Sequence, residues 1–279
     1  MKDRTVIENI YDHYEKFFSA EKKVADYVLK DPMDTVECTV AELAEKSGAS
    51  DATVVRMCKH LGYKGYYQFR IMLARELEWI NRDNVDTDKQ GEYSVGGLFR
   101  MYADSMMQLA KNIGIAEIEK SAELLHNCKW VHIIAAGNTS SLASYMGFRL
   151  ERLGIRATFH TAPEYYMNQI NLAEKEDIVV AISRSGSSKM VVDGIKLAKE
   201  KGLKVITITE YNYSEAAKSS DYVLLSNANV NKFEYFRSHA QLCEMAVIDA
   251  LMTLVSKKFE REEKRTEDYL EIRMSDLKI

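Results

Sequence analysis

Cysteine, proline and long apolar runs are all scarce in this chain, and each scarcity removes a class of protein. The four cysteines, Cys38, Cys58, Cys128 and Cys243, are scattered, with no CxxC and no Cys/His cluster. Neither a zinc site nor a disulfide framework is therefore expected, and buried, reduced thiols are the default. Apolar runs near Val131 and Ile178 stop far short of the ~20 residues that a membrane span needs. The N-terminal stretch MKDRTVIENIYDHYEK also lacks an apolar signal core, so the expectation is a soluble, cytoplasmic chain with no membrane partner. Only two prolines occur, Pro32 and Pro163, and punctuation must be read from glycine and polarity instead. A basic excess is missing too: the net charge of −4 argues against a nucleic-acid surface spread over the whole molecule.

What remains is ample for globular structure. The 279 residues are 46% hydrophobic and 29% charged, enough for about two domains at roughly 150 residues each. Asn81 to Gly97, NRDNVDTDKQGEYSVGG, is polar and holds Gly91, Gly96 and Gly97 without a sustained period of 2 or 3.6. It is read as a linker between a domain over 1–80 and a second over 98–279.

The first part is predicted to be all-helical. Val24, Ala25, Val28 and Leu29 fall at helical spacing within Phe17 to Leu29, and Val40 to Leu61 carries two shorter apolar stripes broken at Gly48. In VAELAEKSGASDATVVRMCKHLG, Val40 to Gly62, a first short helix turns Leu43 and Ala44 inward, Gly48 supplies the turn and Ser50 is a good N-cap. Val54, Cys58 and Leu61 then share one face of a second helix. That spacing fits a helix-turn-helix, with Thr53, Arg56 and His60 on the opposite face and Asp51 in the first turn. An ordinary α-hairpin with a solvated face has the same spacing. The charge balance favours DNA: Arg56, Lys59, Lys64, Arg70 and Arg75 stand against the single acid Asp51 between Ser50 and Arg75. Candidate DNA contacts are Ser50, Asp51, Thr53, Arg56, Lys59, His60 and Lys64. Arg70 and Gln68, with Tyr63, Tyr66 and Tyr67, are read as phosphate donors beside the groove helix, a core-packing role being at least as expected for most of the aromatics.

After a long helical stretch from Leu98 to about Cys128, the pattern alternates. Apolar runs at Trp130 to Ala136, Arg156 to His160, Asp177 to Ile182, Lys204 to Thr209 and Asp221 to Leu225 are separated by helix-length segments, and a last helix follows from about Arg237 to Lys258. Strands alternating with helices imply a five-stranded parallel sheet in an α/β domain. Ligands in such sheets sit beyond the carboxyl ends of the strands, where strand order reverses. Two strand exits are polar and small: AAGNTSSLA, Ala135 to Ala143, and ISRSGSS, Ile182 to Ser188. Their hydroxyls and free N–H groups at helix starts suit a phosphate, though Ser and Thr also cap helices with no ligand at all. The two loops would be neighbours only if the first and third strands are adjacent, as in a flavodoxin-like order.

Catalysis finds little support. Ser183 and Ser187 stand where a nucleophile elbow around Ser185 would need glycines, and the P-loop pattern is absent. His126, His132 and His160 are read as structural. No catalytic residue, metal or cofactor is assigned.

Taken together, EKKVADYVL (Glu21 to Leu29), VAELAEKSGASDATVVRMCKHLGYKGYYQF (Val40 to Phe69) and ISRSGSSKMVVDGIKLAKEKGLKVITIT (Ile182 to Thr209) resemble the RpiR/MurR family of bacterial transcription regulators. The resemblance covers nearly the whole chain. It implies a helix-turn-helix domain joined to a SIS (sugar isomerase) domain of flavodoxin-like fold, homodimeric or homotetrameric, that senses a phosphorylated sugar and binds a palindromic double-stranded DNA operator. Carried over by position, the phosphate-binding hydroxyls are Ser183, Ser185 and Ser188 with Gly186 shaping the turn. Gly137 and Thr139 match the first loop, where Asn138 and Ser140 are further candidates, as are Ser187 and, opening the last helix, Ser238. Ala135 stands in place of a family glycine and Met190 in place of an acid. The competing reading is a sugar-phosphate isomerase or lyase using Glu164, Glu210 or Glu234; a third is a module that contacts protein rather than DNA.

Overall fold

The computed structural model of the chain describes residues 5–83, 94–227, 240–259 and 272–275. These group into two compact units, the first closing at Met101 and the second opening at Tyr102.

Among the described residues, six α-helices lie wholly within the first unit: α1 (Val6–His13), α2 (Ser19–Lys30), α3 (Pro32–Glu37), α4 (Val40–Ser47), α5 (Asp51–His60) and α6 (Tyr66–Asp83). Side-chain caps start four of them, from Thr5, Asp31, Thr39 and Ser50, each satisfying a backbone donor that the first helical turn leaves open. Gly48 closes α4 in the left-handed region at φ 65°, where a Cβ would be strained. Val24, Val28, Leu43, Val54, Met57, Phe69 and Leu73 are buried together. Each contributes roughly 1.5–3 kcal/mol by leaving water, which outweighs the weak intrinsic stability of helices this short.

The second unit begins within α7 (Val95–Asn112) and continues through α8 (Ile115–Asn127). The single helix expected from Leu98 to Cys128 is thus two. Gly114 breaks it in an extended conformation, and a Cβ there would lie 2.2 Å from the Glu117 carboxylate. Of the expected linker, positions 81–83 close α6 and 95–97 open α7; 84–93 lie outside the described residues. Alternation then follows as β1 (Trp130–Ala135), α9 (Ser140–Arg152), β2 (Arg156–Thr158), α10 (Pro163–Leu172), β3 (Ile178–Ile182), α11 (Lys189–Glu200), β4 (Lys204–Thr209), α12 (Glu215–Lys218), β5 (Tyr222–Leu225) and α13 (Ala240–Phe259). Between β4 and β5 the expected crossover helix shrinks to the four residues of α12.

All pairings are parallel and the strand order is β2-β1-β3-β4-β5, the flavodoxin-like order. Side-chain alternation splits the core across the sheet. Ile133, Ala135, Val180 and Ile182 face the layer of α8, α9 and α13, whereas Ile134, Val179 and Ala181 face that of α10, α11 and α12. Both faces are covered, which is why these strands read as continuous apolar runs. No helix among the described residues is long and apolar enough to cross a membrane.

Candidate functional site

In the helical unit, α5 presents Asp51, Ala52, Arg56, Lys59 and His60 to solvent, and Lys64 follows in an exposed turn. Val54, Met57 and Cys58 fix the buried face. Thr53 does not belong with the exposed set: it is buried, its hydroxyl lies 2.9 Å from the Ser50 hydroxyl, and it accepts from the Arg56 guanidinium at 3.2 Å. One helical position separates Thr53 from Val54, and the turn geometry draws it inward with the Ser50 cap, whose oxygen accepts from the Thr53 N–H. Its effect is to hold Arg56 from behind. His60 is similarly anchored, 3.1 Å from the carboxylate of buried Glu21 on α2, while nearly half of its ring stays exposed. Tyr66 and Arg70 are core rather than contact residues. The Tyr66 hydroxyl donates to the carbonyls of Thr35 and Cys38, and Arg70 donates to Cys38 as well. Tyr67, by contrast, is exposed. Burial pushes the thiols of Cys38 and Cys58 up to about 12, so both stay protonated and unreactive.

In the α/β unit, β1 pairs with β3 through Ala135↔Ile182. The loops that leave these two residues are therefore neighbours at the point where strand order reverses. Thr139 joins them: its hydroxyl donates to the carbonyl of Ile182 at 2.9 Å and lies 3.1 Å from that of Ala136. The hydroxyl expected to meet a phosphate has spent its hydrogen on the backbone, because Thr139 is buried at the seam rather than open to it. Around it, Gly137 turns at φ 63° and Asn138 is exposed, with Ser140 half-buried at the start of α9.

Ser183 is buried and its N–H donates to the carbonyl of Ile208 at 3.0 Å, extending the sheet by one residue. Ser185 is half-buried. Ser187 turns back on it, donating its hydroxyl to the Ser185 carbonyl at 3.1 Å. Ser188 is the N-cap of α11 yet makes no side-chain cap bond, and Thr139 makes none to α9. At the start of α11 no side chain caps the backbone donors, which is where an anion is attracted, whereas α9 continues the turn Gly137–Thr139, in which the Ser140 N–H donates to the Gly137 carbonyl. Gly186 takes φ 59°, and a Cβ on it would fall 2.0 Å from the Ser214 hydroxyl oxygen. Ala135, in place of the family glycine, is fully buried in the core. Met190 is exposed on the first turn of α11, and its carbonyl accepts from the Tyr166 hydroxyl at 2.8 Å. Ser238, Arg237 and Glu234 lie outside the described residues.

Three residues that spacing did not single out reach this crevice. Gln241 on α13 donates to the Asn138 carbonyl at 2.8 Å. One turn on, Glu244 accepts from the Arg184 guanidinium at 3.3 and 3.1 Å. Burial pushes the Glu244 carboxyl above its ordinary range, with Arg184 opposing that in part. Burial also works against the charge of Arg184, but Glu244, helped by Glu210, overrides it and holds the guanidinium above its usual value. At the start of β1, far along the strand from the crevice, His132 is 3.6 Å from buried Asp177 and shares a 2.9 Å hydrogen bond with Thr158. Burial lowers its pKa. It serves the sheet, not the loops. Among the described residues no His/Cys/Asp/Glu group is placed to hold a metal.

Comparison with known proteins agrees with both units. Residues 4–79 match the family described as "Helix-turn-helix domain, rpiR family", and residues 124–254 match the SIS domain. The chain is 28% identical over 256 residues to an uncharacterized helix-turn-helix-type transcriptional regulator of Thermotoga maritima, covering 90% of this chain and 91% of that one. It is 29% identical to the uncharacterized regulator YbbH of Bacillus subtilis, covering 83% of each. In fold it is similar to the NanR protein of Vibrio vulnificus complexed with ManNAc-6P, with a TM-score of 0.83 at 24% identity over 98% of this chain and 99% of that one.

Proposed function

Because the chain belongs to the rpiR family of helix-turn-helix proteins and carries a SIS domain, we propose that it is a DNA-binding transcription regulator whose α/β unit senses a phosphorylated sugar. The observation that carries this reading is the pair of serine-bearing loops, made neighbours by the β1/β3 pairing and seamed by Thr139. In the reading, Ser183, Ser185 and Ser188 supply hydroxyls to the phosphate, Gly186 holds the turn, and uncapped N–H groups at the start of α11 complete the cradle. Gly137, Asn138, Ser140 and Ser187 border it. That the solved structure similar in fold holds ManNAc-6P supports a sugar 6-phosphate as the ligand class. Arg56 reads base edges, while Lys59 and Lys64 meet the DNA backbone, with Asp51 and His60 at the rim. Two copies of the chain on a palindromic operator match a homodimer or homotetramer, since protein symmetry is mirrored in the half-sites.

No step of chemistry is assigned. Glu164 is exposed on α10, and Glu210 stands beside Arg184, whose positive charge favours its ionised form. The test is a gel shift with the DNA upstream of the chain's own gene, across a panel of sugar phosphates and salt concentrations. Binding that weakens steeply with salt is expected; absence of DNA binding under every condition overturns the reading.

A further inference from the structure

Arg184 sits between Ser183 and Ser185, in the loop read above as the phosphate cradle. Its carbonyl is fixed, accepting at 3.0 Å from both the Glu210 N–H and the Thr209 hydroxyl, so its side chain is the part free to change partner. The guanidinium is claimed by Glu244 at 3.1 Å and approached by Glu210 at 3.9 Å. The two ends of the main pair differ sharply in access: the Arg184 side chain is 27% exposed and that of Glu244 0%. An anion arriving at the loop meets the cation and not the carboxylate.

We propose that Arg184 is an anion switch, held by Glu244 until a phosphate reaches the serine loop and then taken over by that phosphate, with one proton taken up by Glu244. The inference rests on the serine loops being the ligand site. Arg184 is the hydrogen-bond partner of Glu244 among the described residues, so releasing it leaves a buried carboxylate uncompensated, the most costly outcome for such a pair. Protonation removes that charge, and burial already favours the neutral acid. Among the described residues, the charged or titratable groups that act on Arg184 are Glu244, Glu210 and Tyr211, and the one that acts on Glu244 is Arg184. Arg149, on neighbouring α9, is engaged by Asp249 instead. Two discrete arrangements result, one ionised and paired, the other released and neutral. Gln241, one turn before Glu244, grips the first loop at Asn138, so one edge of α13 touches both loops and registers the exchange. Phosphate affinity accordingly falls as pH rises through the window between the paired and released proton affinities of Glu244.

The experiment is isothermal titration calorimetry of the full chain near neutral pH with N-acetylmannosamine 6-phosphate and with inorganic phosphate, in buffers of different ionisation enthalpy. The free ligand's own ionisation, at about pH 6 for the sugar ester, is common to every titration, so the readout is the difference between variants. Wild type is expected to take up more protons than Glu244→Gln, by as much as one per site. Arg184→Gln, which removes the cation that favours the ionised form of Glu244, is expected to lose the extra uptake and also about tenfold or more in affinity, as for a lost hydrogen bond to a charged group; it provides the same readout if Glu244→Gln does not fold. Equal proton uptake in wild type and Glu244→Gln overturns the switch and leaves the serine site standing. Failure of both probes to bind wild type removes the serine site, and the switch with it.

Discussion

The hydroxyl of Thr139 donates to the carbonyl of Ile182 across 2.9 Å, stitching the loop after β1 to the end of β3. The two polar strand exits thereby form one rigid floor. Removing the hydroxyl in Thr139→Val leaves a buried carbonyl without its donor, a loss of about 1–3 kcal/mol in unfolding free energy. Thr139→Ser should retain most of it. Urea denaturation measures both, and a Thr139→Val protein as stable as wild type contradicts the seam.

Gly186 tests the neighbouring turn. Gly186→Ala places a Cβ both in the left-handed region and 2.0 Å from the Ser214 hydroxyl oxygen. The backbone conformation alone costs about 1–2 kcal/mol, and the collision adds to it. A lowered melting temperature is expected, with ligand-induced stabilisation weakened as the loop shifts.

On α5 the exposed and buried polar residues should separate cleanly. Arg56→Ala is expected to lower discrimination between operator and mismatched DNA by about 1–3 kcal/mol if it meets a guanine edge. Lys59→Ala or Lys64→Ala should weaken all sequences alike and reduce the salt slope by about one. Thr53→Ala should cost stability of about 1 kcal/mol, as loss of a partner to a cap does. Filter binding at several salt concentrations distinguishes the three behaviours.

His132 contributes a pH dependence of known sign. Burial depresses its folded-state pKa below the ordinary value, so near and below about pH 6.5 the unfolded chain binds more protons than the folded one. Stability is therefore full above that pH and is lost as pH falls toward the folded-state value. His132→Gln should flatten this part of the stability–pH curve in denaturation series across pH 5 to about 7.

How much of this was legible in sequence depends on whether the determining contact was local. The five strands, the Gly48 turn and the Ser50 cap follow from periodicity and turn chemistry within a few residues, and the structure places all of them as expected. Thr53 and Thr139 defeated the same reasoning. Each is a small polar residue at a helix start, where composition cannot tell a ligand-facing hydroxyl from one tied to the backbone. Arg70 reads as a phosphate donor, and Tyr66 as either donor or core, until their carbonyl partners, 31 residues from Tyr66 and 32 from Arg70, are in view. The Arg184–Glu244 pair spans 60 positions, and no spacing rule reaches that far.

The central claim, that a phosphosugar in the serine loops alters DNA binding, is tested most directly by fluorescence anisotropy of operator DNA with the full chain, with and without N-acetylmannosamine 6-phosphate or related sugar phosphates. Wild type is expected to change its DNA affinity by about 5- to 150-fold on ligand binding. Ser185→Ala should keep the ligand-free affinity and lose the change. A phosphosugar that binds wild type while DNA affinity stays constant, or a Ser185→Ala protein that responds like wild type, contradicts the account.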